Sequence, residues 1–135
     1  MTNTMTLKLG LDLHGVCDTY PEIFGPLSNF LTKGGHEVHI ITGSELNDEL
    51  KSRLKELGIS YTHIFSIVTY HQNLGTTVVY DDHGNLWMKA ELWDVTKAQY
   101  CKENNINLHI DDSNIYGKYF TTPYLRFKID KSAIS

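Results

Sequence analysis

The sequence predicts a Rossmann-like, three-layer α/β sandwich with a mainly parallel central sheet of about five strands and a small hairpin insertion. Short apolar runs alternate with segments of helical periodicity, a pattern typical of strands joined by crossover helices. The 135 residues are enough for a single domain, 1–135, with its own core. Hydrophobic residues make up 41% and charged residues 21% of the chain, which excludes disordered and collagen-like proteins.

Apolar runs and helical spacing assign the first half of the chain. Three short apolar runs predict strands over Leu7–Leu11, Glu37–Ile41 and around His63–Phe65. Helical periodicity predicts a helix over Pro21–Lys33, which Gly34 and Gly35 are expected to end. Ser44 is expected to begin a second helix, because leucines at helical spacing follow it and Gly58 comes after the last of them.

The second half is predicted to hold a hairpin, one helix and two strands. A hairpin is predicted inside a short insertion at about 69–93, from the strands Val78–Tyr80 and Leu86–Met88. Asp94 or Thr96 is expected to cap a helix from about Lys97 to Asn104. Two further apolar runs predict strands over Ile106–Ile110 and Tyr124–Ile129.

Polar side chains follow three of the predicted strands, at the point where each strand ends. Asp12 follows the first strand, Thr42 and Ser44 follow the second, and Asp111 and Asp112 follow a later one. Ligands of parallel α/β sheets bind beyond the carboxyl ends of the strands, so these groups are expected to meet there. Carboxylates gathered at one point repel one another unless a cation lies among them, and oxygen ligands of this kind suit Mg²⁺. The sequence therefore predicts a magnesium site at which a carboxylate could attack phosphorus.

Four segments resemble, in their order and spacing, the motifs of the haloacid dehalogenase superfamily. These segments are LGLDLHGV at 9–16, HIITGS at 39–44, WDVTK at 93–97 and LHIDDS at 108–113. The resemblance covers most of the chain. It implies the layered fold predicted above and the activity of a small, cap-poor, magnesium-dependent phosphatase.

The resemblance also implies a role for individual residues. Asp12 matches the nucleophile of the superfamily, and phosphoryl binding is implied for Thr42, Gly43 and Lys97. Magnesium binding is implied for Asp12, for the backbone carbonyl of His14, and for Asp111 and Asp112. Two positions stay open, since Ser44 competes with Thr42 and Lys89 competes with Lys97.

His14 departs from the motif, because phosphatases of this superfamily normally carry a second aspartate there as the general acid. Histidine can donate a proton near neutral pH, so the leading hypothesis is a phosphatase that uses Asp12 as nucleophile and His14 as acid and base. The alternative is a catalytically impaired module that binds a phosphorylated ligand or a partner protein. A receiver-like domain is disfavoured, because the paired acids of receivers normally come at the first strand.

The spacing between the motifs has room for a hairpin and for no large cap domain, so the site is expected to be open. An open site suits a bulky phosphorylated substrate, or a lid from the second subunit of a homo-oligomer. A nucleotide, a sugar phosphate or another phosphorylated metabolite would fit. The net charge of −4 shows no basic excess, so a long nucleic acid is not an expected partner.

Cysteine usage and hydropathy predict a cytoplasmic protein without a membrane partner. Cys17 and Cys101 lack the spacing of a zinc site or a disulfide framework and are expected to be reduced thiols. The apolar runs are far shorter than the roughly 20 residues that cross a bilayer.

The remaining histidines and aromatic residues receive structural interpretations. His36 and His39 are predicted to lie on opposite faces of a strand rather than to share a metal. No ligand spacing is recognised among His63, His71, His83 and His109. Packing, rather than base stacking, is predicted for Tyr61, Phe65, Tyr70, Tyr80, Trp87 and Trp93. The acidic segment 81–85 is interpreted as a turn rather than a calcium loop.

Overall fold

Five parallel strands form the central sheet of the computed structural model, which describes residues 5–75, 79–80, 86–87, 90–113 and 116–128. The strands are β1 (Lys8–Leu11), β2 (Glu37–Thr42), β3 (His63–Ser66), β4 (Val79–Tyr80), β5 (Leu86–Trp87), β6 (Leu108–Asp111) and β7 (Tyr124–Arg126). The α-helices are α1 (Pro21–Lys33), α2 (Asp48–Glu56), α3 (Ile67–Asn73) and α4 (Ala90–Glu103). An irregular turn with non-helical backbone at His14 and Gly15 covers Leu13–Cys17, and a 3₁₀ turn covers Tyr116–Tyr119.

The sheet has the strand order β3-β2-β1-β6-β7, which confirms the predicted parallel sheet of five strands. Leu11 of β1 lies opposite Ile40 of β2 on one side and Ile110 of β6 on the other. From this central strand the chain builds the sheet outward in both directions. The crevice beyond the carboxyl ends of β1 and β6 is therefore the topological switch point, where α/β sheets bind ligands.

Helices cover both faces of the sheet and make it the middle layer of three. On one face, apolar side chains of β1, β2 and β6 pack against α1 and α2, with Leu11 and Leu54 completely buried. On the other face, Ile41 of β2 packs against Cys101 of α4 and against Ile106. Burying such side chains stabilises the fold by about 1.5–3 kcal/mol each.

Helix α2 begins at Asp48, so the prediction that Ser44 begins this helix is wrong. Asn47 caps the helix instead, because its side chain accepts a hydrogen bond from the Leu50 N–H at 2.9 Å. Ser44 is held in the preceding turn, where its carbonyl oxygen accepts a 2.6 Å hydrogen bond from the Ser66 hydroxyl.

Helices α3 and α4 also differ from the prediction. Ser66 caps the unpredicted helix α3 by accepting a 3.0 Å hydrogen bond from the Thr69 N–H, so a helix occupies the start of the expected 69–93 insertion. Helix α4 begins at Ala90, which places Asp94 and Thr96 inside the helix and makes both predicted caps wrong. The Thr96 hydroxyl lies 2.8 Å from Nε2 of His71 and joins the two helices.

The predicted hairpin is confirmed, since β4 and β5 pair in antiparallel fashion with Val79 opposite Trp87. The turn at 81–85 and residues 78, 88, 89 and 129 lie outside the described residues. Within the described ranges, no helix has both the length and the apolar character needed to span a bilayer. Cys17 and Cys101 are free and buried, and burial raises the pKa of both thiols to about 12.

Candidate active site

Lys97 connects the aspartates that stand at the ends of β1 and β6. Its Nζ lies 3.2 Å from Oδ1 of Asp12 and 2.8 Å from Oδ2 of Asp111. All three side chains are buried, since Asp12 is 5% exposed, Lys97 3% and Asp111 0%. The structure thus brings together residues that come from three separate sequence motifs. Lys89, the competing lysine, lies outside the described residues.

Hydrogen bonds hold the Asp111 carboxylate in a fixed orientation. Nε2 of the fully buried His109 lies 3.0 Å from Oδ2, and the Ser113 N–H donates to Oδ1 at 3.1 Å. Burial lowers the pKa of His109, so its ring is neutral and donates the Nε2 hydrogen. Burial by itself would raise the pKa of Asp111, but the hydrogen bond from His109 and the charge of Lys97 outweigh it and lower the pKa. Asp111 is therefore ionised.

The pKa of Asp12 is shifted upward, in the opposite direction to the pKa of Asp111. Burial raises the pKa of Asp12 to about 8, the charge of Lys97 opposes this rise, and the charges of Asp111 and Asp112 add to it. The Asp12 carboxyl is therefore protonated near pH 7 when no further cation is present. Attack by Asp12 on an electrophile requires the ionised carboxylate, so chemistry at this residue needs additional positive charge.

Asp12, Asp111 and Asp112 form a donor set that fits a divalent cation. One carboxylate oxygen of each residue lies within 4.8 Å of the other two. Burial and the negative charge of the neighbouring Asp111 raise the pKa of Asp112. As at Asp12, the positive charge near this carboxyl group is too small to balance the negative charges around it. A set made only of carboxylate oxygens is of the kind that Mg²⁺ binds.

Gly15 lets the turn after Asp12 pass against the Asp112 side chain. Gly15 has φ +83°, a left-handed conformation that favours glycine. A Cβ atom at this position would collide with the Asp112 carboxylate. The turn that follows Asp12 thus lies against the second aspartate of LHIDDS.

Gly15→Ala is expected to destabilise the protein more than Gly35→Ala does. Both glycines have φ +83°, so both substitutions cost about 1–2 kcal/mol of backbone strain. Nothing lies within 4 Å of a Cβ atom at Gly35, whereas at Gly15 the Asp112 carboxylate is in the way. Urea unfolding of the two variants measures the difference. Equal losses would show that Asp112 moves aside without cost.

His14 is held between Asp18 and Ser44. Its Nδ1 lies 3.2 Å from Oδ2 of Asp18, and its Nε2 lies 2.8 Å from Oγ of Ser44. Burial favours a raised pKa for Asp18, but hydrogen bonds from the Gly15 N–H, Thr19 and His14 outweigh it and lower the pKa. An ionised Asp18 can only accept, so Nδ1 carries a hydrogen and Nε2 is the nitrogen that can exchange a proton.

Thr42 ends β2 beside the site and has no exposed surface. Its Oγ1 accepts a 3.0 Å hydrogen bond from the Ser44 N–H, so its own hydroxyl hydrogen remains to be donated. The same bond fixes the turn that contains Gly43. The Ser44 hydroxyl contacts His14, so the structure gives Thr42 and Ser44 different surroundings.

A cavity of about 430 Å³ opens beside His14 and runs along α2 as far as Glu56. Its lining includes the acidic side chains of Glu45, Glu49 and Glu56. Arg53 also lines the cavity, and its Nη1 lies 3.7 Å from Oε2 of Glu56. The negative charge of Glu56 therefore offsets the positive charge of Arg53. This acidic lining favours a neutral group that carries hydroxyl donors over a second anionic group.

Asp18 and His109 belong to the site but were not predicted. Asp18 comes four residues after His14, and His109 comes two residues before Asp111 on the same face of β6. These spacings are the signals that could have found them, but both are common in sequences without such a site. The packing interpretation of Phe65 is confirmed, since its ring stacks on Tyr100 of α4 at 4.2 Å.

Comparison of the chain with models of protein families, with curated proteins and with solved structures finds no match. The similarity of the four motifs to the haloacid dehalogenase superfamily therefore stays a prediction from the sequence.

Proposed function

We propose that this protein is a magnesium-dependent phosphatase that acts through an aspartyl-phosphate on Asp12. The observation that carries the proposal is the buried contact of Lys97 with Asp12 and Asp111 at the carboxyl edge of the sheet. A carboxylate nucleophile, a fixed cation and an acidic metal-ligand set are the parts that phosphoryl transfer requires. The motif resemblance, which rests on the sequence alone, points to the same reaction.

The reaction has two halves. In the first, an oxygen of Asp12 attacks phosphorus, the bond to the leaving oxygen breaks, and His14 gives its Nε2 proton to that oxygen. In the second, water attacks the phosphorus of the aspartyl-phosphate while His14 takes a proton from that water. The bond between Asp12 and phosphorus then breaks, which releases phosphate and restores the carboxylate.

Other groups of the site bind and orient the phosphoryl group. Lys97 and the Thr42 hydroxyl supply a positive charge and a hydrogen-bond donor to its oxygens, and the backbone of Gly43, the residue after Thr42, is the third group proposed to bind it. Asp12, Asp111 and Asp112 would hold the magnesium ion. When bound, magnesium supplies the positive charge that keeps Asp12 ionised and offsets the charge of the phosphoryl group.

The acidic cavity beside His14 would hold the leaving group. Glu45, Glu49 and Glu56 can accept hydrogen bonds from hydroxyl groups and repel a further phosphate. The substrates that fit are therefore sugar phosphates and nucleoside monophosphates, in which a single phosphate is joined to a neutral, hydroxyl-bearing group.

Phosphate release from a panel of monoesters tests the proposal. The panel contains sugar phosphates, nucleoside monophosphates and 4-nitrophenyl phosphate, each measured with Mg²⁺ and with EDTA. We expect release that requires Mg²⁺ and is faster for a nucleoside monophosphate than for the matching diphosphate. A folded protein that releases no phosphate from any ester, or releases it equally in EDTA, contradicts the proposal.

His14→Gln and Asp18→Asn are expected to affect esters with poor leaving groups most. General acid catalysis contributes roughly 10²–10⁴-fold, and a good leaving group such as 4-nitrophenolate needs little of it. An asparagine at 18 can still accept the Gly15 N–H, but it offers no carboxylate to Nδ1 of His14. The ratio of the rates for an alkyl phosphate and for 4-nitrophenyl phosphate should fall about 10²-fold in both variants. A ratio equal to that of the wild type would show that His14 is not the acid.

A binding module remains the second candidate function, because a histidine held at both ring nitrogens stands where the superfamily carries its acid. Binding of Mg²⁺ and of a sugar phosphate without phosphate release would favour this function. Calorimetry with the same panel distinguishes the two functions in one set of experiments.

A further inference from the structure

A second group of metal-ligating side chains lies at the opposite end of the same strands. Glu37 begins β2, His39 lies two residues later on the same face, and His63 begins β3 directly opposite His39 in the sheet register. Thr42, at the active-site end of β2, is three residues beyond His39, about 10 Å at roughly 3.3 Å per residue. This group is therefore separate from the aspartates of the candidate active site.

The structure assigns Glu37, His39 and His63 to a binding site for a transition metal ion, which we propose to be Zn²⁺. One ligand atom of each residue lies within 4.8 Å of the others. Oε1 of Glu37 is 2.8 Å from Nε2 of His39 and 3.8 Å from Nδ1 of His63. Ligands on a tetrahedral zinc ion lie roughly 3.3–3.6 Å apart, so these spacings bracket the required one.

Neighbouring groups orient the donors as metal sites require. The other ring nitrogen of His39, Nδ1, lies 2.7 Å from the Tyr100 hydroxyl, and an outer partner of this kind fixes the ring of a metal-bound histidine. Lys8 contacts the Glu37 carboxylate at Oε2, 3.9 Å away, which leaves Oε1 to the imidazoles. His39 is 2% exposed and anchors the site, while the side chains of Glu37 and His63 are 30% and 50% exposed and admit the ion.

Rotation of the His63 ring would complete the coordination of the ion. The rings of His39 and His63 are stacked, 4.1 Å apart and 5° from parallel, and Nδ1 of His63 lies 2.8 Å from Oγ1 of Thr62. Rotation of the half-exposed His63 ring releases Thr62 and turns Nδ1 toward the ion beside Glu37. Two imidazoles and one carboxylate select Zn²⁺ and its transition-metal neighbours over Mg²⁺.

The bound ion would join the edge strand β3 to β2 and leave its fourth position to water. A ligand set with one open position can be structural or can supply a metal-bound water. The location at the edge of the sheet favours a structural role, which predicts a higher melting temperature in the presence of zinc.

Zinc affinity, measured by competition with a chromophoric chelator, tests the site. The wild type is expected to bind one Zn²⁺ with a Kd in the micromolar range or below, and Glu37→Gln and His63→Ala are expected to weaken binding at least about 10-fold. His36→Ala, which changes a histidine just before β2, is the matched control and should bind like the wild type. Cobalt bound in place of zinc should show visible absorption, and His63→Ala should abolish that absorption. If His63 only packed against its neighbours and did not bind the metal, the absorption would remain.

Two results would overturn the site, and both are independent of phosphatase activity. The first is a wild type without micromolar zinc affinity. The second is zinc binding that Glu37→Gln and His63→Ala leave unchanged but Asp111→Asn removes, because the ion would then occupy the acidic cluster at the other end of the sheet.

Discussion

Replacing Asp12 with asparagine is expected to lower magnesium-dependent phosphate release by a factor on the order of 10⁴ or more. The amide has nearly the shape of the carboxyl group but cannot form the covalent bond to phosphorus. Steady-state phosphate release from the preferred ester measures the loss. Asp48→Asn, which changes an exposed aspartate at the start of α2, is the matched control and should keep the wild-type rate.

The same variant gives a second readout, which shows that the fold is intact. The pKa of Asp12 is raised to about 8 in the folded, metal-free protein, from an ordinary value of 3.8. The unfolded chain loses this proton at lower pH than the folded protein, so the contribution of Asp12 to stability is lost as pH rises from about 4 to 8. Asparagine does not titrate. In EDTA, Asp12→Asn should therefore have a higher melting temperature than the wild type at pH 8, and the difference should shrink toward pH 5.

An inactive but stable Asp12→Asn protein would assign the nucleophile. Phosphate release at the wild-type rate would instead remove Asp12 from the chemistry and leave the motif resemblance without its central residue. Loss of activity together with loss of stability at pH 8 would contradict the electrostatic description of this carboxyl group.

The sheet and the carboxyl-end residues were predictable because they depend on local patterns. Apolar runs fix where β1 and β2 lie, and in a parallel sheet every carboxyl end lies at one edge. The sequence alone therefore predicts that Asp12 and Asp111 lie close together. Lys97 was predicted from the WDVTK motif, and the structure places it between them.

The errors at α2, α3 and α4 have a common physical cause. Helix ends are decided by which side chain captures the free N–H groups, and several candidates lie close together in each segment. Asn47 and Ser66 cap α2 and α3, while Ser44 is occupied by His14 and Thr42. Such competition is settled by tertiary contacts that a single sequence does not contain.

Contacts between strands could not be predicted from the sequence either. His39 and His63 meet because β2 and β3 pair in one particular register, and a shift by one residue would put them on opposite faces. The predicted separation of His36 from His39 gave no information about His63. The contact of Asp18 with His14 was not predictable for another reason, since a spacing of four residues between an aspartate and a histidine is common in chains without such a contact.

Lys97→Met is expected to distinguish the contribution of Lys97 to protein stability from its contribution to phosphate release. Lys97 is nearly as buried as Asp111, and two other donors to this ionised carboxylate, His109 and the Ser113 N–H, are neutral. Removing one partner of a buried ion pair costs about 3–5 kcal/mol, so the melting temperature in EDTA should fall by roughly 10 °C or more. Lys102→Met, at an exposed position of the same helix, should change stability by less than about 0.5 kcal/mol.

Magnesium should restore part of the stability of Lys97→Met and little of its activity. A divalent cation among the aspartates would replace the lost positive charge near Asp111, but it would not supply the hydrogen-bond donor that Nζ is proposed to offer to the phosphoryl oxygens. Loss of one such donor costs about 10²–10³-fold in rate. Thermal unfolding and phosphate release, each with and without Mg²⁺, measure the two effects on the same samples. Full recovery of activity on adding magnesium would confine Lys97 to charge balance, and an unchanged melting temperature in EDTA would mean that the buried ion pair contributes nothing to the fold.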